Sequence, residues 1–200
     1  MLNMKTAKPI FDELDILRER LNADFSLGTE QRQLFKDDRI DEILDMLIMA
    51  YVYGTEDADE ELTVMEEVVT DEMYNAVWLE IAGRNWEQRI REYFDDPNGT
   101  VDDIMRVVET DTNRIYNDAV LNVGRKTSEK IAPSGRVVTK TWNTMLDDRV
   151  RDTHEYIESV TVPIDKRFYT FDGDSAMAPG GFTDPQNNIN CRCSITLNRA

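Results

Sequence analysis

The chain has 200 residues, 40% of them hydrophobic and 32% charged, with a formal net charge of −17. That balance suits a soluble globular protein of one large domain or two small ones. It works against broad non-specific binding to nucleic acid, whose phosphates an acidic surface repels.

The longest apolar run, Met46 to Tyr53, falls far short of the ~20 residues a bilayer requires, so no membrane span is expected. The N-terminal residues have no apolar core and no cleavage site, so no signal peptide is expected either. This implies a reducing cytoplasm, where two cysteines are thiols or ligands sooner than a disulfide. The charge is uneven. Residues 1–130 carry 31 acidic and 15 basic side chains, and residues 131–200 carry 9 and 8.

Residues 9–23 read as a helix, with Pro9 at its first position and Ile10, Leu14, Leu17 and Leu21 on one stripe. Gly28 marks a break. A second helix is expected from about Thr29 to Tyr53, buried along Ile40, Ile43, Leu44, Leu47, Ile48 and Tyr51, and ended by Gly54. Thr55 to Glu67 then holds seven acidic residues and no basic one. Within it, Glu60, Glu61, Glu66 and Glu67 are candidate protein-binding residues, because such a run offers no phosphate ligand and attracts a basic partner surface. A third helix is expected to start inside this run and to reach Phe94, bending if anywhere at Gly83.

Asp95-Asp-Pro-Asn-Gly99 is a turn. Thr100 caps the next helix with Asp103 three residues on, and its stripe of Val101, Ile104, Val108, Ile115, Ala119 and Val123 runs to about Lys130. Thr110, Arg114 and Asn117 form a polar line on it, suited to docking this helix against the C-terminal unit. Beyond Pro133 the pattern changes. Strands are expected at Arg136–Thr144, Val160–Ile164, Arg167–Phe171 and Asn190–Leu197, with a short helix from Asp147 or Asp148 through Ile157 and a long loop from Ala178 to Asn188. The fold class is therefore α+β: a helical N-terminal half with long helices, then a small α+β module with a short antiparallel sheet. The expected units are residues 1–99, acidic and helical, and residues 100–200, comprising the helix 100–130 and an α+β part 131–200.

His154 is the only histidine, and Cys191 and Cys193 are the only cysteines. Residues two apart on a strand share a face, so Cys191, Cys193, Ile195 and Leu197 point one way. Two readings stay open. The four form a core face, with cysteine as a small hydrophobe and no cofactor. Alternatively, both thiolates join His154 and a carboxylate, Asp148, around zinc. A disulfide between residues two apart would be strained. Asp147, Arg151 and His154 follow helical spacing, which suggests either a capped helix with one hydrogen-bonded histidine or an acid–base pair. No nucleophile is placed beside His154 by the sequence, so no catalytic residue is assigned.

Residues 106–193 resemble the phage Mu F-like minor head proteins, the head morphogenesis family. The resemblance rests on Thr110-Asp111-Thr112-Asn113-Arg114-Ile115-Tyr116-Asn117, on Lys140-Thr-Trp142, on Asp147 through Arg151 to His154, on Gly173 and Pro179-Gly180, and on Ile189-Asn190-Cys191-Arg192-Cys193. Two positions depart from the family pattern. Asp111 replaces a glutamate, and Gly181 stands where the family has an aspartate, for which Asp184 is the nearest substitute. The resemblance implies a minor capsid protein of a tailed phage or prophage, inside the virion and in the host cytoplasm during assembly. It implies the portal protein and other capsid or scaffold proteins as partners, and a role in head assembly and DNA ejection. The same module accompanies toxins and ADP-ribosyltransferases. The competing expectation is a metal-dependent hydrolase or transferase built on Asp148, His154, Cys191 and Cys193.

Overall fold

The computed structural model describes residues 4–62 and 70–199, with side chains from Asp12 to Ala58 and from Asp71 to Arg199. Helix α1 (Met4–Ser26) buries Leu14, Leu17 and Leu21 along its apolar stripe. Gly28, with φ at 85°, turns the chain out of it.

The single helix expected from Thr29 is divided and then prolonged. A first turn, α2 (Thr29–Arg32), passes through a 3-10 turn into α3 (Lys36–Leu62). Arg32 explains the first turn. It is buried, its Nε donates to the Phe94 carbonyl at 3.0 Å, and its guanidinium lies over the Phe25 ring. Helix α3 continues through Gly54, contrary to the expectation that it ends there. A Cβ at Gly54 would lie 2.3 Å from the Tyr116 carbonyl oxygen and 2.9 Å from the Ala119 Cβ. The glycine is there for close helix packing and not for termination.

The long third helix is also two pieces. Helices α4 (Thr70–Val77) and α5 (Trp86–Asp95) flank a reversal in which Ala82 and Gly83 are both left-handed and Ile81 bridges to Arg84. Asn85 restarts the helix with a reciprocal capping box. Its side chain accepts from the Gln88 N–H, and the Gln88 side chain accepts from the Asn85 N–H. Trp86, Ile90 and Phe94 form the buried face. The expected first turns of that long helix lie outside the described residues. So do Glu66 and Glu67, and the side chains of Glu60 and Glu61.

Helix α6 (Val101–Ile131) starts as expected, with Thr100 and Asp103 capping each other, and runs unbroken through Thr110 to Asn113. Two clusters of buried side chains meet along it. One joins α1, α3, α4 and α5 to its first half, from Ile104 to Ala119. The other joins Tyr116, Val120, Leu121 and Val123 to the C-terminal residues.

These C-terminal residues form a three-stranded antiparallel sheet in the order β2-β1-β5, from β1 (Val138–Asn143), β2 (Thr161–Pro163) and β5 (Ser194–Arg199). Strands β3 (Phe168–Tyr169) and β4 (Ser175–Ala176) pair separately. One-turn helices α7 (Asp152–Glu155) and α8 (Pro185–Asn188) lie in the connections. Every expected strand is shorter than its periodicity suggests. Cys191 and Cys193 precede β5, and Asn190 is left-handed, with φ at 56°. Alternate residues Val138, Lys140 and Trp142 of β1 are buried. Gly124 lets α6 approach the sheet, since a Cβ there would lie 2.7 Å from the Ile164 Cδ1 and 3.0 Å from Leu197. No helix among the described residues is long and apolar enough to cross a membrane.

Candidate functional site

The polar line on α6 is buried at Arg114 and Asn117 and half-buried at Thr110, and it faces two ways. Toward the helices, Arg89 donates to Asp111 Oδ2 at 2.5 Å. Arg114 Nε donates to Asp111 Oδ1 at 3.1 Å, Nη1 to Asp118 at 3.0 Å, and Nη2 to the Ala76 carbonyl at 2.9 Å. Burial of this kind is tolerable only when each charge is paired and hydrogen-bonded. Toward the C-terminal segment, Thr110 Oγ1 accepts from the Asn190 N–H at 3.1 Å. The Asn117 amide donates to the Cys193 carbonyl at 3.2 Å and accepts from the Ile195 N–H at 3.0 Å. These bonds fix the backbone from 190 to 195, and with it the direction of both cysteine side chains.

Cys191, Cys193 and His154 are buried together. The Cys193 Sγ lies 3.4 Å and the Cys191 Sγ 3.6 Å from His154 Nδ1. An aromatic box holds the imidazole in place. Phe182 stacks on it at 5.2 Å between ring centroids, and Trp142 meets it edge-on at 5.5 Å. Trp142 in turn packs edge-on against Phe168 and Phe182. The hydrogen bond from Cys193, with help from His154, holds Cys191 well below the ordinary thiol range. The same bond, together with burial, pushes Cys193 up.

Other expected members of the site are elsewhere. The helix expected from Asp147 to Ile157 is reduced to α7, so Asp147, Arg151 and His154 do not share a helix face. The reason is local: Asp147 Oδ1 accepts from the Arg149 N–H and the Asp147 carbonyl from the Val150 N–H, closing a turn before α7. Asp147 then takes both guanidinium nitrogens of Arg192, at 2.7 and 2.8 Å, and this pairing holds its carboxyl below the usual carboxylate range. Arg151 donates to the Ile189 carbonyl. Asp148 is exposed and does not join the three buried side chains. Asp184 caps α8 through the Gln186 N–H and is not among the residues brought together at His154.

Sequence reasoning missed Asp174. One of its oxygens accepts from the N–H groups of Ser175 and Thr183, and the other from the Asp184 N–H and the Asn187 amide. Burial opposes its charge, and these donors outweigh it, holding the carboxyl below its ordinary range. Its one signal is membership of an Asp-Gly-Asp-Ser turn, which does not tell that the side chain organises the chain ten residues on.

The profile of the family described as "Phage Mu protein F like protein" matches residues 67–196, well over half of the chain. The chain belongs to the phage Mu F-like family. Within this Mu F-like chain, the matched span takes in α4 to α6, the whole of β1 to β4, and the His154–Cys191–Cys193 cluster. A similar curated protein is "NAD(+)--arginine ADP-ribosyltransferase EFV" of Enterococcus faecalis (strain ATCC 700802 / V583), 26% identical over 149 residues. That alignment covers 62% of the Mu F-like chain and 30% of the relative, so the chain spans less than a third of that protein's length. No solved structure matches. Membership of the Mu F-like family supports a phage head protein with capsid-related partners.

Proposed function

We propose that the chain is a minor head protein of a tailed phage or prophage, associated with the portal inside the head, where it aids assembly and DNA ejection. The match to the Mu F-like family over residues 67–196 carries this reading. The charge distribution agrees with a role in protein contact. Residues 1–130 are strongly acidic, which suits a basic partner surface and not phosphate. In this reading the C-terminal module and α6 form the anchor, and the acidic helices present the binding surface.

The test is capture by a purified phage portal protein, with a DNA-binding assay run in parallel. Capture should fall steeply as salt rises. It should also weaken in a Glu60→Lys, Glu61→Lys, Glu66→Lys, Glu67→Lys variant whose melting temperature is nearly unchanged. Unchanged capture by that variant, or tight DNA binding by the native chain at physiological salt, would sink the proposal.

The second reading is a metal-dependent hydrolase or transferase. The name of the curated relative and the buried His154–Cys191–Cys193 cluster favour it. Against it, the carboxylate assigned to that chemistry, Asp148, lies on the surface apart from the cluster.

A further inference from the structure

We propose that His154 Nδ1 and the sulfurs of Cys191 and Cys193 bind one zinc ion, which staples the segment before β5 to α7.

The argument begins with the number of partners at one nitrogen. Both sulfurs converge on His154 Nδ1, at 3.4 and 3.6 Å. A neutral imidazole nitrogen offers either one lone pair or one proton. One nitrogen cannot pair with two thiols at once, and the three groups crowd together in a buried, mostly aromatic setting. The other ring nitrogen, Nε2, has no hydrogen-bond partner among the described residues, so the polar contacts of the ring run through Nδ1. A single cation between the three atoms satisfies all of them.

The distances suit zinc. With bonds of about 2.3 Å to sulfur and about 2.0–2.1 Å to nitrogen, a tetrahedral angle places sulfur and nitrogen about 3.5 Å apart. The ligand atoms of the three residues all lie within 4.8 Å of one another. Two thiolates with one imidazole form a set that zinc prefers over magnesium or calcium, which take oxygen ligands. The fourth position also has a place. A cavity of about 10 Å³ touches His154 and Cys193 and is rimmed by Arg149, Arg151 and Arg192. It has room for about one water, and water is the fourth ligand.

The role is structural. Three ligands from two chain segments 37 residues apart, from His154 to Cys191, are tied at a point where neither segment is in a strand. The module has no disulfide, both cysteines being free, and a small core without one gains most from such a staple.

Elemental analysis of the full chain purified without added metal should give about one zinc per chain. After chelation, the protein should take up cobalt(II) with a thiolate-to-cobalt charge-transfer band and the intense ligand-field bands of a tetrahedral site. Cys193→Ser and His154→Gln should weaken cobalt(II) binding by roughly tenfold or more, since even loss of an outer partner costs that much. Chelation should lower the melting temperature of the native chain. The native chain alone decides the matter if a variant fails to fold. Zinc near zero, with no thiolate-to-cobalt band at excess cobalt(II) and no effect of chelator on melting, would overturn the proposal. This outcome is independent of portal capture.

Discussion

Asn117 shows why single residues in α6 are only partly legible in the sequence. Its place on a polar line with Thr110 and Arg114 comes from helical spacing. Its pairing with the backbone of Cys193 and Ile195 does not, because those partners are more than 75 residues away. Lys140 gives a sharper case. It lies on β1 at a position that alternation buries, fully enclosed, with its amine donating to the Met177 carbonyl at 2.7 Å. Burial, with repulsion from Arg125 and Arg167 and partial relief from Asp165, lowers its pKa to about 7. The unfolded chain keeps this proton to well above pH 9. Between these values the unfolded state binds more protons, so stability rises with pH. Below pH 7 the buried ammonium exerts its full destabilising effect. We expect chemical denaturation of the native chain to show stability rising from pH 7 to 9 by up to about 1.4 kcal/mol per pH unit from this group. Lys140→Met should remove that part of the slope. An identical slope in both proteins would contradict it.

At the scale of elements, propensity and packing compete, and packing decides the outcome. Local sequence makes Gly54 a stop for α3, because glycine is a poor helix former and a common cap. Instead the helix runs on, since burial against α6 outweighs the roughly 1 kcal/mol that a helical glycine costs. Gly54→Ala is therefore a test of which effect governs. Propensity alone would stabilise by about 1 kcal/mol. The contact with the Tyr116 carbonyl at 2.3 Å is with backbone, which cannot swing aside, so we expect a loss of about 1–3 kcal/mol from overpacking. A higher melting temperature in the variant would mean that α3 and α6 separate freely. The break between α4 and α5 is hidden for a different reason. The apolar spacing continues through it, but Ala82 and Gly83 turn left-handed and Asn85 restarts the helix with its own cap. Caps on Asn85 and Thr100 have the same chemistry. Only Thr100 stands out in the sequence, because a Pro-Asn-Gly turn precedes it.

For the whole molecule, the position of α6 matters most. It contributes to both buried clusters, and its side chains bond to the 190–195 segment on one side and to α4 and α5 on the other. A fragment of residues 131–200 therefore lacks one wall of its core, and about 70 residues without a disulfide bury little apolar surface alone. We expect that fragment to give no cooperative thermal transition by circular dichroism, with or without zinc. A sharp, reversible melt would show that the module is autonomous.

The sequence by itself determined the α+β class, the span and cap of α6, the apolar stripes of α1 and α5, and the family motifs from Thr110 to Cys193. These depend on neighbours within a few turns, where periodicity and capping chemistry operate. Tertiary structure alone decided the rest. It divided the third helix, carried α3 past Gly54, and shortened each strand to the length its partner could pair. It separated Asp147 and Asp148 from His154 and brought Cys191 and Cys193 to one imidazole nitrogen. Each of those outcomes turns on groups tens of residues apart, whose meeting depends on how α6 packs and not on local spacing.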